Sequence, residues 1–357
     1  VLLAGGGSGG HVFPALAVGE ELVGRGADIH FAGSPTGMEA ELVPARGVRF
    51  HPLRARPFVG QGPAGRVAAV ATMARSALAA RTLVRREGID ITLGTGGYAS
   101  VPATVGTRLA GRPVILLEPN ADAGAANRLA SRLAVGACVA AGARPRLHCP
   151  QWETGVPVRR SFQGTITPPP EGALRILVLG GSQGSAELNR CVPAAVAAAD
   201  PERRVAVRHQ CGRGHAAAAV AAWAAAGHPA EVTEFIDDVA AAMRESHVVI
   251  SRAGAITLAE LAAVGRGAVL VPLMAAGAHQ LGNAREREHL GAAIVVEGGA
   301  GLSERLATSL TSIFTDPALP GTLATRAAAL ARPDAAARIA DHLLDAVAAR
   351  WATREAA

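Results

Sequence analysis

The chain has 357 residues, half of them apolar and 18% charged, which excludes a disordered polymer and at this length favours two packed domains over one. Its formal charge is +6, and the excess lies in residues 1–157, where sixteen arginines face ten acidic residues. The four cysteines, Cys138, Cys149, Cys191 and Cys211, form no CxxC or Cys/His cluster, and aromatics make up only 3%, so a disulfide framework, a zinc site and a nucleic-acid partner all lack support.

An apolar strand over residues 1–4 runs into Gly5, Gly6, Gly7, Ser8, Gly9 and Gly10, with a helix expected over 14–23. This GxGxxG pattern suits a phosphate at a helix N-terminus, or forms a tight turn. A dinucleotide site would also need an acid at the end of the second strand, but strand 29–32 ends at Ala32, Gly33 and Ser34, with Asp28 at its start. Hydride transfer therefore loses ground. No signal peptide is read here.

Residues 54–86 hold seven arginines (Arg54, Arg56, Arg66, Arg75, Arg81, Arg85 and Arg86) and no acid, interleaved with Phe58, Val59, Val67, Val70, Met73, Leu78 and Leu83. An anionic lipid surface is the natural partner, at about 1 kcal/mol per basic residue. The alternative is an ordinary solvated helix face. No apolar run is expected to approach the ~20 residues of a membrane span, the alanine-rich stretch 216–226 included.

Further strands are expected at 89–93, 114–117, 175–179, 205–209, 247–251 and 268–271, alternating with alanine-rich helical segments. That grammar means parallel sheets with crossover helices, an α/β chain. Gly94, Thr95, Gly96, Gly97 and Tyr98 form a second glycine loop, and Gly180, Gly181, Ser182, Gln183 and Gly184 a third. Three loops that end three strands suggest amides gathered around pyrophosphates.

Pro168, Pro169 and Pro170 break the pattern within 163–172, where the interdomain linker is expected. Each side of it opens with a strand and a glycine loop, so two doubly wound domains would face each other across a ligand cleft. Beyond Gly254, Glu260 is placed either to receive a ribose diol or simply to favour a helix start. His279, Gln280 and Asn283 grip sugar hydroxyls or cap a helix.

The blocks GGGSGGHVFP from Gly5, GTGGYAS from Gly94, Glu118-Pro119-Asn120 with Asn127, GVPVR from Gly155, GGSQG from Gly180, EFIDD from Glu234, Arg252 to Glu260, and HQLGNA from His279 stand in order along nearly the whole chain. Together they resemble the MurG transferases. The resemblance implies the GT-B architecture: an acceptor- and membrane-facing domain at 1–157, a UDP-sugar domain at 158–333, and a C-terminal segment 334–357 that packs back on the first. It implies inverting transfer of N-acetylglucosamine from UDP-N-acetylglucosamine to the muramyl 4-hydroxyl of undecaprenyl-linked lipid I, giving lipid II for peptidoglycan, at the cytoplasmic face of the cell membrane as a peripheral protein.

Position by position, it implies donor contacts at Ser8, Gly9, Gly10, Asn127, Arg159, Ser182, Ile236, Ala255, Ile256, Thr257, Leu258, Ala259, Glu260 and Gln280. Ile236 would address the uracil, Glu260 the ribose, Ser182 the pyrophosphate and Gln280 the sugar. Acceptor contacts are expected at Thr95, Gly96, Gly97, Tyr98 and Asn120. The chain departs from the family at Pro119, where glutamine is usual, and at Val156, where asparagine is usual.

Inverting displacement needs a base for the attacking hydroxyl. His11 is the candidate, with an ordinary pKa near ~6.5 that suits neutral pH, and Glu118 is the fallback. The alternative is that His11 binds without taking a proton. No Asp-x-Asp pair occurs in the chain, so no obligatory metal or other cofactor is expected. The rivals are a transferase for another acceptor, a UDP-N-acetylglucosamine epimerase, and a non-catalytic binding protein.

Overall fold

The computed structural model describes residues 1–56, 62–168, 171–181, 184–274 and 279–355. The chain divides into two units, Val1–Arg159 with Arg332–Ala357, and Arg160–Ala331.

In the first unit, strands β1 (Leu2–Ala4), β2 (His30–Gly33), β3 (Arg49–Pro52), β4 (Thr92–Gly94), β5 (Val114–Glu118), β6 (Gly136–Val139) and β7 (Gln151–Glu153) form one sheet in the order 3-2-1-4-5-6-7. In the second, β8 (Arg175–Leu179), β9 (Ala206–Gln210), β10 (Glu231–Thr233), β11 (Val248–Ser251), β12 (Gly267–Leu270) and β13 (Ala293–Val295) run 10-9-8-11-12-13. All pairings are parallel. Both sheets are doubly wound, as the strand–helix alternation leads one to expect.

Strand order reverses between β1 and β4, and again between β8 and β11. Crossovers leave in opposite directions at such a point, which opens a crevice beyond the strand ends. The three glycine loops and Arg252–Gly254 follow β1, β4, β8 and β11, so these loops occupy the two switch points.

Helix Ala335–Glu355 belongs to the first unit by packing. Its Ile339, Ala340 and Leu343 share a core with Leu3, Val12, Leu16 and Leu22. At the rim Arg25 bonds Asp341 at 2.5 Å, and Trp152 stacks on His342 with centroids 4.2 Å apart. The segment after Arg159 is strapped to the second unit. Arg244 donates to the carbonyls of Ser161 and Gln163, and the fully buried Arg266 reaches those of Thr167, Pro168, Arg244, Ser246, Val264 and Gly265. Six carbonyl dipoles offset the cost of burying that guanidinium.

One expectation is corrected. Helix Pro63–Arg86 contains a stretch, Ala64–Arg86, that is long and apolar enough to cross a membrane by length and composition. Alanine raises its hydropathy, and Arg75 and Arg81 are too sparse to offset it. One such helix is weak evidence for a span. Its inner face packs on the first unit, with Ala69, Ala80 and Val84 wholly buried and Gly106 of helix Val101–Leu109 meeting the Ala77 backbone, while Val67, Val70 and Leu78 are 70%, 57% and 56% exposed. Phe58 and Val59 lie outside the described residues.

Candidate active site

In the first unit the two glycine loops at the switch point interlock. β1 runs through Gly5, Gly6 and Gly7 into helix Gly9–Gly24, so Ser8, Gly9 and Gly10 present the first-turn amides that no intrahelical carbonyl reaches. Thr95 sits across from them. Its amide bonds Ala4 O at 2.8 Å, its hydroxyl bonds His11 O at 2.8 Å, and its carbonyl faces His11 Nδ1 at 2.7 Å. Gly97 adopts φ +72°, and a Cβ there would come within 2.6 Å of Gly6 O, so only glycine lets the loops meet this closely.

A carbonyl can only accept, so His11 Nδ1 carries the proton and Nε2 is the basic nitrogen of the ring. The half-buried imidazole lies against Gly96 and Gly97, and the Asn127 side chain also borders Gly96. Tyr98 is the exposed lip of this loop, next to Gly7.

Glu118, at the end of β5, is buried with both oxygens occupied. Oε1 accepts from the amide and side chain of Asn120 at 3.1 and 2.9 Å, and Oε2 from Gly124 N and Asn127 Nδ2 at 3.0 Å each. Asn127 Nδ2 also reaches Leu117 O, while its buried Oδ1 has no partner among the described residues. An orphaned acceptor of this kind, in a well-packed shell, is a place for a ligand donor. Arg159 and Arg46 both lie over the Phe13 ring at 5.8 Å, which keeps Arg159 on the face of helix Gly9–Gly24.

In the second unit, β8 ends at Gly180 and Gly181, and Ser185 caps helix Ala186–Ala199 by accepting from Leu188 N. Ser182 lies outside the described residues. Gln210 bridges the loop to the β10 end, donating to Gly181 O at 3.2 Å and Glu234 O at 3.1 Å. Ile236 is buried just beyond, beside the exposed Phe235. Ala255, Ile256, Thr257, Leu258, Ala259 and Glu260 form the first turns of helix Ala255–Val264, whose cap Gly254 has no side chain to close its amides. Glu260 is buried in the second turn. Gln280 accepts from Leu273 N at 3.0 Å, and Asn283 donates to Ala253 O, so both lean toward the loop ends.

Arg252 ties this half together, pairing with Glu187 at 3.0 Å and donating to Val271 O. Burial opposes charge on Glu187, but the Gly299 amide and Arg252 outweigh it and hold its carboxyl below the usual range. Sequence reasoning did not single out Glu187, Gln210 or Glu39, which supports the first loop. Their only local signal is a polar residue within a few positions of a glycine turn.

Two family models match the chain, the glycosyltransferase family 28 N-terminal domain over residues 1–139 and the C-terminal domain over 175–339. A relative from Sorangium cellulosum (strain So ce56), named UDP-N-acetylglucosamine--N-acetylmuramyl-(pentapeptide) pyrophosphoryl-undecaprenol N-acetylglucosamine transferase, is 42% identical over 97% of this chain and 88% of its own length. One of the same name from Acidithiobacillus ferrooxidans (strain ATCC 53993 / BNL-5-31) is 41% identical over 95% and 96%. Among solved structures, Acinetobacter baumannii MurG superposes with TM-score 0.78 at 30% identity, covering 96% of this chain and 98% of that one.

Proposed function

Because the chain belongs to glycosyltransferase family 28 and, within it, to the MurG transferases, we infer that it moves N-acetylglucosamine from its UDP donor to N-acetylmuramyl-(pentapeptide) pyrophosphoryl-undecaprenol, converting lipid I to lipid II. The observation that carries this reading is kinship with transferases of that name over nearly the full length of both chains.

The finer assignments are our proposal. Attack by the muramyl 4-hydroxyl on the anomeric carbon expels UDP and inverts α to β. His11 Nε2 takes the hydroxyl proton, an assignment supported by the Nδ1 bond to Thr95 O that fixes the tautomer and the ring. Glu118 positions rather than reacts, since its four hydrogen bonds hold the loop that bears Asn120 and Asn127. Thr95, Gly96, Gly97, Tyr98 and Asn120 meet the acceptor. Ser8, Gly9, Gly10, Asn127, Arg159, Ser182, Ile236, Ala255 to Glu260 and Gln280 are the residues assigned to the donor. Amides at helix starts stabilise the departing diphosphate without a resident metal.

Helix Pro63–Arg86 supplies the membrane contact. Val67, Val70 and Leu78 recur at helical spacing on its exposed side, with Arg66, Arg75, Arg85 and Arg86 beside them, the pattern of a helix that lies on an anionic surface. The protein therefore works peripherally, at the cytoplasmic face of the cell membrane.

Transfer of labelled N-acetylglucosamine to a lipid I analogue tests the reading, with donor-only, acceptor-swapped and chelator-treated arms. Acceptor-dependent β-linked product that survives the chelator is expected. Donor turnover without acceptor would move the chain to the epimerases, and loss of product on chelation would overturn the metal-free account.

A further inference from the structure

Glu39 lies outside every residue given a role in transfer, yet it is fully buried beneath the first glycine loop. It opens the short helix Glu39–Leu42 after β2. Its Oε2 accepts from Gly7 N at 3.2 Å and its Oε1 from Ser34 N at 2.9 Å. Three glycines make room for it: a Cβ on Gly6, Gly33 or Gly37 would overlap its side chain. Burying a carboxylate is costly unless donors surround it, and shaping three separate backbone positions around one marks a fixed support rather than loose packing.

The support reaches the reacting end. Gly6 sits between Glu39 on one side and Gly97 on the other, and Gly97 in turn lies against the His11 ring, within 3.2 Å of Cδ2 from its would-be Cβ. The Gly7 amide points at Glu39 and is not offered to a phosphate, and a carboxylate behind the loop repels one there. The outward chemistry of the loop is thereby restricted to the Ser8, Gly9 and Gly10 amides and to His11.

We propose that Glu39 is a positioning residue for the transfer, locking Gly6 and Gly7 so that the helix-start amides and the His11 ring keep their aim. This inference rests on the transferase reading. A misplacement near 1 Å of a reacting group costs about 100-fold, so Glu39→Gln, which keeps the volume but turns an amide N–H toward a backbone N–H, should lower kcat by about 10- to 100-fold. The KM for the UDP-sugar should stay within about threefold, because the residues assigned to the uracil, ribose and sugar, Ile236, Glu260 and Gln280, are left unchanged.

Gly37→Ala is the companion variant. It leaves the charge intact, and its Cβ displaces the carboxylate sterically. It should reproduce the same split between kcat and KM, and the double variant should be no worse than the weaker single, since both act on one contact. Full kcat in both folded variants, or a loss confined to KM, overturns the proposal. Amide exchange at Gly7 and Ser34 separates failure of this inference from failure of the reading on which it rests. Should the wild-type protein transfer nothing, faster exchange at those amides in Glu39→Gln would still establish the support, and unchanged exchange would remove it.

Discussion

Replacing His11 with asparagine separates the two things its ring can do. The asparagine amide nitrogen falls where Nδ1 stands, so donation to the Thr95 carbonyl, 2.7 Å in the wild type, survives while the basic nitrogen is lost. Glutamine does the reverse, reaching toward the Nε2 position and giving up the Thr95 bond. General-base catalysis contributes about 100- to 10,000-fold, or roughly 3–5 kcal/mol of barrier. A single neutral hydrogen bond contributes about 1 kcal/mol, less than tenfold. His11→Asn should therefore lose at least about 100-fold in kcat, and His11→Gln that loss plus up to about tenfold more. Single-turnover transfer to a lipid I analogue at saturating donor reads both, with calorimetric UDP-sugar affinity expected within about twofold of wild type. Turnover of His11→Asn within about tenfold of wild type would refute the base assignment and leave the ring a positioning group.

Two further outcomes follow from other parts of the chain. His209 is buried and neutral: Nδ1 accepts from Trp223 Nε1 at 3.0 Å, so Nε2 donates to Asn189 Oδ1, and burial pushes its pKa down to about 4 from 6.5. The unfolded chain takes up this proton first, so the stability from His209 is complete above about pH 6.5 and is lost as pH falls toward 4, by roughly 3 kcal/mol. Urea midpoints at pH 7 and 4.5 should show the drop, and His209→Gln should flatten it; an equal slope in the variant removes His209 as the cause. On the membrane side, Val67→Asp with Leu78→Asp should abolish sedimentation with anionic vesicles while leaving donor binding intact, and wild-type binding should weaken as salt rises. Vesicle binding unchanged by the substitutions would place the contact elsewhere.

The seven strands expected after the first are those whose apolar runs are covered on both faces, and each is present within a few residues of its expected place. The strands that were not expected include all four sheet edges, β3, β7, β10 and β13. Two of these edges, Arg-Phe-His-Pro in β3 and Gln-Trp-Glu in β7, are partly exposed and lack the uninterrupted apolar run, whereas β13 lies in an apolar run that was not singled out. β6 is central, but Gly-Ala-Cys-Val is too small and short to announce itself. The loops that meet at the first switch point were legible because glycine turns mark them, at Gly5–Gly10 and Gly94–Gly97. Glu39, Glu187 and Gln210 were not, because each acts on a loop distant in sequence or through a single side-chain bond that leaves no periodic trace.

By itself the amino-acid sequence determined the class of fold, the two switch-point grammars of strand and glycine loop, and the family, since apolar period, turn chemistry and ordered motifs are local properties. Only the tertiary structure decided the strand order that brings the loops after β1 and β4 together, the tautomer of His11, and which side chains seat helix Ala335–Glu355 on the first unit. Each of these depends on which distant surfaces bury against one another: Ile339, Ala340 and Leu343 gain their place only once helix Gly9–Gly24 offers a face to cover, and Thr95, 84 positions along the chain from His11, can orient it only once the chain has folded back.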